Sequence, residues 1–185
     1  DTFSSRGLGD VYKRQDKQNL GEPSLFSGGS SANVASGLSK LGIDVSFFGS
    51  LGKDIYGKHV VDEMKADGID ISNLVLLDNY NTAMVIGVVE ESSERHFFLW
   101  PPINGAHNQY TLDDTSRKDL LDCDWLHVSG ISLRFSPVKE TMLEAMRLCN
   151  VKSKTVSFDL NLRSELWGVS ESFKETVLKA VSYSS

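Results

Sequence analysis

The stretch from Gly28 to Gly42, Gly-Gly-Ser-Ser-Ala-Asn-Val-Ala-Ser-Gly-Leu-Ser-Lys-Leu-Gly, constrains this chain more than any other. It reads as a glycine turn feeding a helix. Adjacent glycines permit backbone angles and close approaches that a Cβ would block, so a ligand can rest directly against main-chain N–H groups. Ser30 and Ser31 offer N-cap oxygens. Val34, Leu38 and Leu41 recur at helical spacing, while Ala35 and Gly37 are small enough for the helix to lie close to a sheet. Gly42 suits the position just past a helix end. The unpaired N–H groups and partial positive charge of such a helix N-terminus suit hydroxyls or an anion. Asn33 falls in the first turn, where an amide is a mediocre helix former but can reach what the glycines face. The alternative is a turn that serves only tight strand-to-helix packing, with Asn33 solvated. Neither G-x-G-x-x-G nor G-x-x-x-x-G-K-[ST] is present, so the ligand class differs from that of the dinucleotide and Walker-type fingerprints.

With 185 residues and 40% hydrophobic content the chain can bury a real core, in one domain or slightly more. A net charge of -6, a pI near 5.2 and the lack of any Lys/Arg run argue against a nucleic-acid partner. No apolar stretch approaches the roughly 20 residues that span a bilayer, and the N-terminus lacks the apolar centre of a signal peptide. A soluble, cytoplasmic protein with no membrane partner is expected. Cys123 and Cys149 stand in unrelated contexts and read as buried thiols. His59, His96, His107 and His127 lack ligand spacing, so no metal site is expected, and His127 reads as a packed core residue.

Residues 1–21 are polar and without periodicity; Asp10–Gln15 is read as a junction or sequence-assembly scar, and the segment is left unassigned. The domain is taken as residues 22–185. Val45–Phe48 reads as a buried strand and Gly49–Gly57 as a turn. A helix follows on Ile55, His59, Val60, Met64 and Lys65, ending at Gly68, and Leu74–Leu77 is another strand. Ala83–Glu90 and Glu94–Trp100 read as a hairpin within about 81–100, either a flap over a site or an ordinary edge hairpin, burying one face through Met84, Ile86, Phe97 and Trp100. Pro101–Gln109 is a loop. A short helix begins at Thr111, with Asp113 and Asp114 in its first turn. Trp125–Ser129 is a strand closed by Gly130. Pro137 opens a helix with Val138, Met142, Ala145, Met146 and Cys149 inward. Thr155–Leu160 is the next strand and Ser170–Val181 the last helix. Alternating strands and helices specify an α/β fold, a mostly parallel sheet flanked by helices, with ligands beyond the strands' carboxyl ends.

One such end carries Asp159-Leu-Asn161-Leu-Arg163, followed by Trp167. If the strand stayed extended, Asp159, Asn161 and Arg163 would share one side. Arg163 could bind a phosphate or carboxylate through its fork, or simply pair with Asp159 or Glu165.

With Gly28, Gly29 and Asn33, then Gly42, Gly49, Gly52, Asp54 and Gly57, then Glu94-Arg95-His96-Phe97, and finally Asp159, Asn161, Arg163 and Trp167, the chain resembles the ribokinase-like, PfkB-type sugar kinases. The third pattern looks most like the fructokinase and 2-keto-3-deoxygluconate kinase branches. The resemblance implies a Rossmann-like α/β domain with a small β lid and phosphorylation of a sugar or sugar-acid hydroxyl with ATP and Mg2+. It implies that Gly28, Gly29, Asn33, Arg95 and Arg163 bind the sugar, that Asp159, Asn161 and Arg163 lie on the phosphate or nucleotide side, and that the lid, with Phe97 and Trp100, can pair two copies as a homodimer. The family's Gly-Ala-Gly-Asp, which carries the base, is absent from these residues, and the first strand is not recognisable. No catalytic residue is therefore assigned, and the chain reads as the N-terminal sugar-binding portion of a kinase of roughly 300 residues, inactive alone. A non-catalytic sugar-binding module and a nucleoside kinase are the alternatives.

Overall fold

The computed structural model describes residues 24–89, 95–101 and 103–185, with the side chains of Val89, Arg95 and Glu165 excepted. The unassigned segment 1–21 and the hairpin tip, Glu94 included, lie outside the described residues. The chain divides into two compact units, Asp1–Ala106 and His107–Ser185.

In the first unit, α1 (Ser30–Lys40) precedes β1 (Gly49–Gly52), α2 (Ile55–Ala66) and β2 (Leu74–Leu77). The two strands pair in parallel, from Gly49 opposite Leu74 to Gly52 opposite Leu77. Buried Ala35, Leu51, Val60, Met64 and Ile69 form the core, with Ala32, Val45 and Phe47 packed against it. The inward stripe of α1 is thus its alanines: Ala35 is 5% exposed, whereas Val34, Leu38 and Leu41 are 37%, 38% and 79% exposed. Ala35 thus makes the close approach expected of a small residue, whereas Gly37 is exposed with nothing within 4 Å of where its Cβ would stand. Ser39 completes that stripe by donating to the Asp67 carbonyl at the end of α2.

Two further boundaries differ from expectation. The apolar run Val45–Phe48 makes only one bridge, Ser46 opposite Asp70, and the ladder forms over Gly49–Gly52, which reads as a turn in sequence. Phe47 N–H donates to the Asp70 carbonyl at 2.8 Å and Asp70 N–H to the Val45 carbonyl at 2.8 Å, so the apolar run is the approach to the strand. Gly42 (φ 83°) does close α1: its N–H donates to Ser39 O and that of Ile43 to Leu38 O, a Schellman end.

β3 (Met84–Val89) and β4 (Arg95–Trp100) form the antiparallel hairpin. Its register sets Met84 opposite Trp100, Ile86 opposite Phe98 and Gly87 opposite Phe97. Alternation therefore puts Phe98, not Phe97, on the face shared by Met84, Ile86 and Trp100. The hairpin leaves Phe97, Phe98 and Trp100 exposed.

The second unit runs α3 (Asp114–Asp122), β5 (Trp125–Ser129), a 3-10 turn at Gly130–Leu133, α4 (Val138–Val151), β6 (Thr155–Asp159), α5 (Ser164–Trp167) and α6 (Glu171–Val181). Asp113 caps α3 by accepting from Ser116 N–H at 2.7 Å, and Ser116 Oγ accepts from Asp113 N–H at 2.8 Å, a closed capping box. β5 and β6 pair in parallel from Trp125 opposite Thr155 to Ser129 opposite Asp159. α4 packs on both strands and on α3 and α6, burying Val138, Thr141, Ala145, Met146 and Cys149. Thr141 rather than Met142 completes that face, its hydroxyl donating to Tyr110 O at 3.1 Å. Two parallel pairs with their helices, plus an antiparallel hairpin, make this an α/β protein. No helix among the described residues is long and apolar enough to cross a membrane.

Candidate functional site

Gly29 is the N-cap of α1 at φ 113° and ψ 139°, a conformation open to glycine and almost nothing else. Gly29 has no side chain to cap this end, and Ser30 and Ser31 are the first two helical residues rather than the N-cap expected from their hydroxyls. The first intrahelical bond runs from Asn33 N–H to Gly29 O at 2.7 Å. The amides before it have no partner within the helix, so this end can receive hydroxyl or anionic oxygens. Gly28 is buried, Gly29 half-buried, and Asn33 stays exposed on the first turn. Gly28, Gly29 and Asn33 thus lie together at the start of α1.

The glycines Gly52 and Gly57 serve a different purpose. A Cβ on Gly52 would fall 2.5 Å from Tyr80 O and 2.6 Å from Thr82 N, and one on Gly57 2.0 Å from Gly52 O. Into this tight junction Asp54 places both carboxylate oxygens, Oδ1 accepting from Gly57 N–H at 2.7 Å and Oδ2 from Thr82 N–H at 2.8 Å. Thr82 Oγ1 accepts from Gly52 N–H at 3.0 Å. Burial pushes the Asp54 carboxyl up, but the Thr82 and Gly57 amides outweigh it and hold the group below the usual carboxylate range. Asp54 therefore ties the start of α2 to the chain entering β3. Beside it an open groove of about 450 Å3 is lined by Gly52, Lys53, Asp54, Lys58, Val61 and Leu76; it holds none of the site residues named from sequence.

In the second unit the polar trio stands at the carboxyl end of β6, where a ligand site is expected in a parallel sheet. It is not an extended strand. The chain leaves β6 at Asp159, and Asn161 (φ 33°) and Arg163 (φ 46°) are both left-handed, so simple alternation does not place the three groups. The strand stops because β6 follows β5, which ends opposite it at Ser129. There Asn161 Nδ2 donates to Ser129 Oγ at 3.1 Å. Asp159 and Arg163 are exposed, and Arg163 is the N-cap of α5. Arg95 lies in β4, but its side chain is outside the described residues.

Sequence reasoning missed three contributors. Arg134, just past the 3-10 turn, donates Nη1–H to Gly168 O at 2.8 Å and Nη2–H to Leu162 O. Its only sequence signal is a lone cation in Ile131-Ser-Leu-Arg-Phe shortly after a strand end. Ser129 and Thr82 carry no signal. Of the cysteines, Cys149 is buried and Cys123 half-buried, its thiol donating to Leu120 O at 2.9 Å. The neighbouring Cys149 thiol, helped by the Lys154 ammonium, brings the Cys123 thiol down to about 7, while the Cys149 thiol is driven up. His127, read as a core residue, is half-buried with Nδ1 2.8 Å from Ser157 Oγ.

Parallel strands followed by helices, a β hairpin and a polar loop at a strand's carboxyl end define an α/β protein of the ribokinase-like kinase fold. Solved structures agree: fructokinase from Xylella fastidiosa with bound ATP superposes with a TM-score of 0.84 at 26% identity, over 96% of this chain and 56% of that one. The family model described as pfkB family carbohydrate kinase matches residues 7–185, and the chain belongs to that family. Fructokinase of Salmonella typhimurium is 31% identical over 160 residues, 86% of this chain and 51% of that protein. The 5-dehydro-2-deoxygluconokinase of Clostridium perfringens is 31% identical over 144 residues, 77% of this chain and 42% of that protein. The chain spans about half the length of the curated relatives it matches.

Proposed function

We propose that the complete protein carrying this chain is a cytoplasmic kinase that transfers the terminal phosphoryl group of ATP to a hydroxyl of a sugar or sugar acid. The observation that carries the reading is the family match across residues 7–185; similarity to a fructokinase and to a 5-dehydro-2-deoxygluconokinase supports a sugar or sugar-acid acceptor. Gly28, Gly29 and Asn33 hold acceptor hydroxyls at the start of α1, and Arg95 is the acceptor-binding residue assigned to the hairpin. Asn161 and Arg163 supply amide and guanidinium donors, suited to an acidic acceptor or the migrating phosphoryl oxygens. Asp159 stands on the same phosphate side. Phosphoryl transfer depends on positioning and charge neutralisation more than on covalent chemistry by the protein, which suits such donors.

ATP supplies the phosphoryl group, with Mg2+ as its counter-ion. Among the described residues no three His, Cys, Asp or Glu side chains are grouped to hold a metal ion. The base for the attacking hydroxyl is assigned to no residue of this chain, and residues 1–185 alone are inactive.

The complete protein assayed for ADP release with fructose, ribose, 2-keto-3-deoxygluconate and adenosine tests this. Sugar-dependent release is expected; release with adenosine alone makes it a nucleoside kinase, and none with any acceptor overturns the kinase reading in favour of a sugar-binding module. Measurable sugar phosphorylation by residues 1–185 alone would refute their inactivity.

A further inference from the structure

The loop that leaves β6 is held in an expensive shape. Asn161 and Arg163 are both non-glycine residues at positive φ, a conformation that persists only when the surroundings over-determine it. Leu160 and Leu166 are half-exposed, so burial of the loop's own apolar side chains does not account for it.

What surrounds the loop is the end of β5 and the turn after it. Gly130 lies so near that a Cβ there would sit 2.0 Å from Leu160 O. Ser129 Oγ accepts from Asn161 Nδ2 at 3.1 Å. Arg134 then grips the rest: its two terminal nitrogens donate to the carbonyls of Leu162, just before Arg163, and of Gly168, just after α5. Its guanidinium lies 3.6 Å from the Phe173 ring centroid and 5.5 Å from that of Trp167. Trp167 in turn stands edge-on to Phe135 at 5.8 Å. A planar fork can bond two divergent carbonyls while stacking on a ring, and an ammonium cannot.

We propose that Arg134 is the positioning residue of the loop after β6, clamping both ends of Leu162–Gly168, the segment that carries Arg163, so that this donor is preset for the ligand beside Asn161, which Ser129 holds. The kinase reading supplies what the loop does; the geometry around Arg134 supplies what holds it.

The test uses the complete protein with Arg134→Ala, Arg134→Lys and, as a core-destabilising control, Met146→Ala. In Arg134→Ala the amides of 160–168 should exchange hydrogen about tenfold faster or more while β5 and α4 keep their protection, since loss of a clamp opens locally. Millimolar guanidinium should slow that exchange again, and Arg134→Lys should restore little. KM for the acceptor should rise about tenfold or more with a smaller change in kcat, as displaced binding groups cost affinity and alignment. Met146→Ala should lower the melting temperature without either signature. Unchanged exchange at 160–168, or exchange that rises equally in β5 and α4, would overturn the proposal, as would a KM no higher than that of Met146→Ala. If the wild-type protein phosphorylates none of the acceptors, the kinase reading fails and the exchange pattern still decides what Arg134 holds.

Discussion

Single residues in this protein matter through their immediate neighbours. Cys123 owes its acidity to the Cys149 thiol, with Lys154 adding a favourable charge. The thiolate is the reactive form, so alkylation of Cys123 by iodoacetamide should climb through pH 7, while Cys149, buried and driven up, should stay inert. Cys149→Ala removes the donor, and the midpoint should move back toward about 8.5, the ordinary thiol value. Mass spectrometry of the labelled peptides against pH measures both. At Gly130 the constraint is steric. Gly130→Ala must push Leu160 O aside from 2.0 Å, and a backbone carbonyl cannot rotate away as a side-chain end can. A loss of about 1–3 kcal/mol, typical of overpacking, should appear as a lower urea midpoint at unchanged slope.

Elements are fixed by their ends. α1 starts at a glycine, which has no side chain to cap it, and stops at a Schellman turn, whereas α2 and α3 start under Asp54 and Asp113. The Asp54 cap does more than end a helix, because its second oxygen holds Thr82 at the root of β3. Asp54→Ala leaves the Gly57 and Thr82 amides without this acceptor. It should cost about 1–3 kcal/mol, the range for a lost cap plus an unsatisfied buried group. The signature separating it from an ordinary cap is hydrogen exchange: amides of Met84–Val89 should lose protection together with those of the first turn of α2. A matched Asp113→Ala should cost about 1 kcal/mol and leave the hairpin unchanged. Because the Asp54 carboxyl lies below its ordinary value, its stabilisation is present above the unfolded value and is lost as pH falls through the folded one.

For the molecule as a whole, the hairpin is the surface that invites a partner. One face carries Ile86, Phe98 and Trp100, and Phe98 is 58% exposed. Large exposed aromatics on a sheet face mark interaction surfaces. The lid-paired homodimer that the family resemblance implies predicts a dimer of the complete protein in light scattering. Phe98→Asp should shift it to monomer at micromolar concentration with little change in melting temperature per monomer. A wild-type protein monomeric across that range would remove that expectation.

What the sequence alone determined is whatever depends on local composition. β2 and β5 occur at the expected residues, Leu74–Leu77 and Trp125–Ser129, because each is a compact apolar run bounded by turn signals. The family was legible because the glycine turn with Asn33 and the Asp159–Arg163 trio are short local patterns in the sequence, within the residues 7–185 that the family model matches. Tertiary structure decided the rest. β1 forms on Gly-Ser-Leu-Gly because Leu74–Leu77 lies alongside to pair with it, and at Gly52 the Asp54 junction leaves no room for a Cβ. The close approach of α1 at Ala35 was legible from that residue's size, but only the structure shows that Gly37 takes no part in it. The loop after β6 curls rather than extends because Ser129, Gly130 and Arg134, some thirty residues earlier, take up its polar groups. Contacts between residues far apart in sequence leave no mark in the local pattern, and in this protein they set the shape of the candidate site.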